Sequence, residues 1–460
     1  MIESLSDPVF LSRLQFALTT MFHILWPLTT IGLAVVLVVL EALWLRTGED
    51  DYYRHFRFWS KIFGVGFAAG VVSGIPLEFQ FGTNWAPFSV ASGNFLGHVL
   101  AFEGTMAFML ESAFLSIMLF GWNRVGRKAH FFSTIMVCLG SSLSAFWIMA
   151  ANSWMQTPAG GRFVDGVFHL DDFWAAVFNP DTVISFSHMW VACLETSIFL
   201  MGAISAFFIW RGRDTAFFLR SFKLAVAMAV AVTPLQALLG DTSGVHIGRL
   251  QPAKVAAIES HWETNKPGTG ASWNVVAWPD PENERNAFAI EIPYVLSLLV
   301  THDPTGIVPG LKDFPKDQRP PIILPFYTFR VMVGIGFAMV AVMLGSVYAW
   351  RKGMLTPEQA PRHKLLMGLW MLMAPMGYVA TQMGWVTREV GRQPWIIYGW
   401  LRTSEGASIL HADAVKSTLA MYGVMYTLIP LAVCWFLFKI IAKGPDTALE
   451  PPAPRRGGRS

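Results

Sequence analysis

Nine apolar stretches dominate the chain, near 15–45, 62–82, 94–120, 129–152, 183–210, 221–240, 326–350, 365–387 and 411–438. Each is long enough to cross roughly 30 Å of hydrocarbon, which takes about 20 helical residues. Inside lipid every backbone N–H and C=O must find its partner within the protein, and apolar runs of this length satisfy that requirement as helices. The expected fold is therefore an all-α integral membrane protein with about nine transmembrane helices. Composition agrees: 53% of the 460 residues are hydrophobic and only 14% charged, and a mean hydropathy of +0.45 sets aside a soluble multidomain protein. The net charge of +3 comes mostly from Lys and Arg flanking the apolar runs and carries no nucleic-acid signal. Cys138, Cys193 and Cys434 all lie inside apolar runs without CxxC spacing. That excludes a disulfide framework, a zinc ribbon and covalent haem attachment. The amino-terminal "MIESLSDPVF" lacks a basic region and a small-residue cleavage site, so the first apolar run is expected to be a retained span.

Orientation follows from Lys and Arg in the short loops. Arg46, Arg54, Arg57 and Lys61, then Arg124, Arg127 and Lys128, then Arg211, Arg213, Arg220 and Lys223, then Arg351, Lys352, Arg362 and Lys364 fall on one side. The alternate loop at 83–93 has none, and 153–182 has only Arg162 against four aspartates. The basic side is expected to be cytoplasmic, which puts the N-terminus outside and the tail "PAPRRGGRS" inside. The expected organisation is 1–240 as membrane helices one to six, 241–325 as an outer loop with a short helix in "QPAKVAAIESHWET", 326–438 as helices seven to nine, and 439–460 as a basic cytoplasmic tail.

Polar side chains inside the spans are costly and mark function or pairing. His23 and Glu103 fall at one depth in the first and third helices, and His188 and Met332 at another in the fifth and seventh. Imidazole and thioether at matched depth on separate helices can supply both axial ligands of a low-spin b-type haem. Equally, a lone buried histidine can be a hydrogen-bonded packing group and a methionine a gap filler. Arg330, two residues before Met332, suits a haem propionate or snorkels to the interface. Glu103 and Glu111 are about 12 Å apart along a helix and about 80° apart around it, a spacing that suits a proton relay or two separate structural carboxyls. Near the end of the eighth span, "MGWVTREVGRQPW" crowds Arg388, Glu389, Arg392 and Gln393 between two tryptophans.

In order and with compatible spacing, the motifs "SRLQFALTTMFH", "EFQFGTNW", "FEGTMAFMLES", "WMQTP", "KVAAIESHWET", "FRVM" and "GWVTREVGRQPW" cover nearly the whole length. On them the chain resembles subunit I of cytochrome bd-type quinol oxidases, including the cyanide-insensitive branch. The resemblance implies a quinol:dioxygen oxidoreductase subunit in the bacterial cytoplasmic (inner) membrane, carrying three haems: low-spin haem b, high-spin haem b, and haem d or a further haem b. It implies that His188 and Met332 ligate the low-spin haem, that His23 ligates one high-spin haem with Glu103 close by, and that Glu389 ligates the other. Trp385 would lie between the haems and Arg392 near a propionate. Lys254 and Glu259 match the quinol-oxidising loop, about 140° apart on a short helix, and Glu111 with Ser144 matches the proton path from the cytoplasm. Electrons from quinol would reduce O2 to water, forming a proton gradient without pumping. A second membrane subunit is implied, with a one-helix third left open. This chain has the short version of the quinol loop, with no long insertion after "KDFPKDQRP".

Two other classes compete. A haem-copper oxidase or nitric oxide reductase needs several clustered histidines, whereas the embedded ones are His23, His98 and His188, with His130 and His411 at the edges. A secondary transporter would use Glu103, Glu111, Glu195 and Arg388 for ions, but the sequence shows no repeat or paired broken helices.

Overall fold

The computed structural model describes residues 6–452. The extreme amino terminus and nearly all of "PAPRRGGRS" lie outside the described residues. Among those described, nine helices are long and apolar enough to span a membrane: α1 (Pro8–Thr47), α2 (Asp50–Thr83), α3 (Ala86–Phe120), α4 (Arg127–Gln156), α5 (Thr182–Trp210), α6 (Thr215–Leu250), then, after a short α7 (Pro252–Glu259), α8 (Ile323–Arg351), α9 (Lys364–Val390) and α10 (Ala412–Lys443). All overrun the apolar windows, because polar residues continue the helical ladder beyond the hydrocarbon. α6 runs ten residues past 240, so the segment outside the spans begins at Gln251.

Local chemistry sets these ends. Asp7 caps α1 by accepting from Val9 N–H at 2.9 Å, with Pro8 next, where its missing N–H costs nothing. Gly48 closes the helix at φ 74°, its N–H bonding Trp44 C=O, a left-handed cap that glycine adopts without strain. Pro27, Pro76, Pro234, Pro375 and Pro430 sit inside spans, where neighbouring helices accommodate the freed carbonyls.

The helices form two four-helix groups. α1, α2, α3 and α4 pack together; α5 and α8 each pack on both α6 and α9, which places α5 and α8 diagonally. The groups join where α5 meets α1 and α4. Gly32 of α1 makes that seam possible: a Cβ there would lie 2.4 Å from Cys193 C=O and Ser197 Oγ of α5. Ser197 Oγ in turn donates to Leu28 and Thr29 C=O of α1 at 3.1 and 2.9 Å, the small-residue packing that holds membrane helices close. α10 touches only the α1–α2 edge to any extent, and just 6% of its apolar window is buried.

The loops at one membrane face carry the structure outside the spans. There β1 (Gly161–Val164) pairs β2 (Val167–Leu170), β3 (Trp273–Asp280) pairs β4 (Arg285–Ile292), and β5 (Trp395–Ile397) pairs β6 (Leu401–Arg402), all antiparallel. The short helix expected in "QPAKVAAIESHWET" is α7; the β3–β4 hairpin beside it was not foreseen. The opposite face carries the Lys- and Arg-rich loops, as the span order requires.

Candidate functional site

His188 on α5 and Met332 on α8 sit in the same four-helix group, on the two helices that face each other across it. Glycines on the intervening helices lie beside both, and the one next to Met332 leaves room that a Cβ would close. A Cβ at Gly240 of α6 would lie 3.6 Å from His188 Cε1, and one at Gly384 of α9 would lie 2.9 Å from Met332 Sδ. His188 Nδ1 is buried without a hydrogen-bond partner, which a packing histidine would not leave so.

In the other group His23 of α1 meets Ser73 Oγ of α2 at 3.0 Å through Nδ1, and a Cβ at Gly74 would come within 3.2 Å of its Cε1. α3 contains a π-helical turn, Glu103–Phe108, a distortion frequent at functional sites. The turn changes the winding between the two carboxyls, and both face α4. Ser144 Oγ donates to Glu103 at 2.6 Å, while Ser141 Oγ donates to Glu111. Ser144 thus bonds Glu103, while Ser141, one turn earlier, bonds Glu111.

Glu389 ends α9 inside a polar hub. Its Oε1 accepts from Asn152 Nδ2 at 2.9 Å and Gln156 Nε2 at 3.3 Å, both on α4, and its Oε2 pairs with Arg392 at 2.5 Å. A third of its side chain stays accessible. Trp385 lies one turn earlier on α9, half-buried. Arg388 turns the other way, to Asp181 at 2.6 Å, Ser185 at 2.8 Å and Asn152 at 2.6 Å. Burial works to raise the Asp181 carboxyl, but the charge and hydrogen bond of Arg388, with the hydroxyl of Ser185, outweigh it and hold Asp181 below its ordinary range.

Lys254 and Glu259 on α7 are both 4% exposed, so neither belongs to a solvated loop helix. Nor do they share hydrogen-bond partners. Lys254 Nζ donates to Gln156 Oε1 at 2.6 Å, toward the Glu389 hub. Burial, then the charges of Arg388 and Arg392, hold its ammonium well below the lysine range. Glu259 points away to Arg330, 2.9 Å from Oε2, as the 140° angle requires. Burial raises the Glu259 carboxyl against the opposing charge of Arg330. Arg330, expected at a propionate, instead spends its guanidinium on this segment. It bonds Ile258 C=O at 2.8 Å, Asn274 C=O at 3.0 Å and Phe326 C=O at 3.2 Å, and its guanidinium carbon lies 3.6 Å from the Phe326 ring centroid.

The donor set fits haem. Imidazole, thioether and carboxylate ligand types are present, and glycines flank His23, His188 and Met332. Arg392, only 6% exposed, leaves Nε and Nη1 without partners, donors that a buried carboxylate would satisfy. Sequence reasoning missed Ser73, Asn152, Gln156 and Asp181. Only Gln156 carried a signal, its place in "WMQTP"; the others look like ordinary polar residues until the helices pack.

The family model described as cytochrome bd terminal oxidase subunit I matches residues 11–445. The chain is 34% identical to cytochrome bd-II ubiquinol oxidase subunit 1 of Escherichia coli (strain K12), over 98% of this chain and 100% of that protein. It is also 34% identical to cytochrome bd ubiquinol oxidase subunit 1 of Bacillus subtilis (strain 168), over 95% and 94%. Among solved structures, the bd oxidase from Geobacillus thermodenitrificans superposes with a TM-score of 0.87 at 31% identity, covering 96% of this chain and 99% of that one. Nine spanning helices among the described residues and full-length similarity agree: the chain belongs to the cytochrome bd terminal oxidase subunit I family.

Proposed function

We propose that this multi-pass subunit oxidises quinol at the face bearing α7, passes the electrons through three haems and delivers them to O2, with protons drawn from the opposite face. In this reading the low-spin haem b is held by His188 and Met332, one high-spin haem by His23 with Glu103 beside it, and the other by Glu389 with Trp385 near it and Arg392 on a propionate. When bound, haem supplies the one-electron and oxygen chemistry that side chains lack. Glu259 accepts a proton as quinol is oxidised and Lys254 orients the α7 end of the site. Quinol protons leave on that face.

The observation that carries the reading is the arrangement along the membrane normal. Ligand-type residues and the two α7 groups gather toward one face, and the hydroxyl–carboxylate pairs Ser144–Glu103 and Ser141–Glu111 step from there toward the other. Carboxyls in series within the spans can hand protons inward without a pump. The membrane is the bacterial cytoplasmic membrane, with a second membrane subunit against this chain and a single-helix third subunit as a further partner. The reading takes either ubiquinol or menaquinol as the donor and either haem d or a second high-spin haem b at the O2 position.

The test is a dithionite-reduced minus oxidised spectrum of the purified complex, repeated with carbon monoxide and followed by acid-acetone extraction. A low-spin b band that disappears in His188→Leu and Met332→Leu, and a carbon-monoxide-sensitive band that disappears in His23→Leu, are expected. Haem spectra unchanged in all three variants would overturn the ligand assignments.

A further inference from the structure

One amide joins the two halves of this chemistry. Gln156 Oε1 accepts from Lys254 Nζ at 2.6 Å and from Gln251 Nε2 at 3.2 Å. Gln251 also donates to the Gln156 backbone C=O at 2.7 Å, so the start of α7 is pinned to the last residue of α4. With two donors on the oxygen, the amide cannot be flipped, and its Nε2 must face the Glu389 carboxylate, 3.3 Å away. Gln156 itself is 2% exposed.

We infer that Gln156 is a positioning residue that couples Lys254 on the quinol-loop helix to Glu389 at the neighbouring haem position. The inference rests on the proposal that Glu389 is a haem ligand. The Lys254 Nζ donor on the amide oxygen polarises the N–H bonds and strengthens their donation, because hydrogen bonds in series reinforce one another in a low-dielectric interior. The stronger that donation, the less electron density Glu389 offers to a bound iron. Asn152 and Arg392 also hold this carboxylate, but among the described residues neither hydrogen-bonds α7. Gln156 bonds both, so displacement of Lys254 is felt at Glu389 through it as well as through the direct interaction of the two side chains.

The experiment is spectroelectrochemistry of the purified complex with four variants: Gln156→Leu, Gln156→Glu, Lys254→Met and the double Gln156→Leu/Lys254→Met. Loss of the Gln156 donor leaves Glu389 a stronger ligand to ferric iron. The high-spin haem it holds is therefore expected to shift to a more negative midpoint potential in Gln156→Leu, while the low-spin haem keeps its own. Lys254→Met is expected to shift the same haem in the same direction, and to add less than its full shift on top of Gln156→Leu. Gln156→Glu keeps an acceptor for Lys254 and removes the donor, so it is expected to shift the potential while leaving the quinol KM near wild type, whereas Gln156→Leu raises that KM. An unchanged low-spin band shows that each variant is folded.

The outcomes separate the two ideas. If Glu389→Ala retains the high-spin band, the ligand proposal fails and takes this inference with it. If Glu389→Ala loses the band but Gln156→Leu leaves its potential unmoved, or if the shifts of Gln156→Leu and Lys254→Met simply add, the ligand proposal stands and the coupling role of Gln156 is refuted.

Discussion

The Glu259–Arg330 pair offers a test with a built-in asymmetry. The two side chains are 6% and 14% exposed, so water screens their attraction little. Glu259→Gln removes one charge-assisted hydrogen bond, a loss of about 1.5–3 kcal/mol. It does not strand Arg330, which still donates to Ile258, Asn274 and Phe326 carbonyls. Arg330→Met does the opposite. It leaves a buried carboxylate without its counter-ion, which costs about 3–5 kcal/mol, and it also releases those three carbonyls. Burial already raises the Glu259 carboxyl, so protonation caps the second cost. At about 1.36 kcal/mol per decade, local opening of α7 and β3 becomes roughly 10- to 150-fold easier in Glu259→Gln, and easier still in Arg330→Met. Hydrogen exchange of peptides covering 252–261 and 273–280, read by mass spectrometry in the intact complex, measures both. Exchange as slow as wild type in both variants, or a larger effect in Glu259→Gln than in Arg330→Met, would refute the reasoning.

Three further outcomes are expected. Arg388→Leu strands Asp181, only 5% exposed and 2.6 Å from the guanidinium, at about 3–5 kcal/mol; Tm should fall, and Asp181→Asn in that background should restore part of it, whereas an additive loss would show that the pair is not coupled. Gly202→Ala would set a Cβ 2.2 Å from Trp370 Cζ3, and overpacking of this kind costs about 1–3 kcal/mol; a wild-type Tm would mean that α5 and α9 are not in close contact there. Lys254 carries a depressed pKa, so between that value and about 10.4 the unfolded chain binds more protons and the folded state gains stability as pH rises. Thermal melts at a series of pH values through this window should show that gain shrinking in Lys254→Met, and an identical pH dependence in the variant would exclude a perturbed Lys254.

Much of the site was legible because ligand chemistry is a property of residue type. His188 and His23 could be singled out as candidates before any packing was known, since such groups are rare and costly in apolar runs, whereas Met332 and Glu389 were pointed to by matched position and by the family resemblance. Hydrogen-bond partners were not legible. Ser144 and Ser141 are both small hydroxyls on one helix, and which of them reaches Glu103 depends on a π-helical turn that no composition signal announces. Arg330 reads equally well as a haem partner or an interfacial arginine; that it anchors α7 depends on the β3–β4 hairpin bringing the Asn274 carbonyl beneath it. The 140° separation of Lys254 and Glu259 was computable from helix geometry, yet not that both would be buried.

The sequence by itself determined the spans, their alternation and the face bearing the large loop. The cost of unpaired backbone in hydrocarbon leaves apolar runs of this length one conformation, and that constraint acts segment by segment. Only the tertiary structure decided how α4, α7 and α9 converge so that Gln156, Lys254 and Glu389 share one chain of hydrogen bonds. Those residues lie 98 and 135 positions apart, and nothing local ties them together; they meet because glycines and small side chains let the helices approach, and because each buried polar atom must then find its partner on a neighbouring helix.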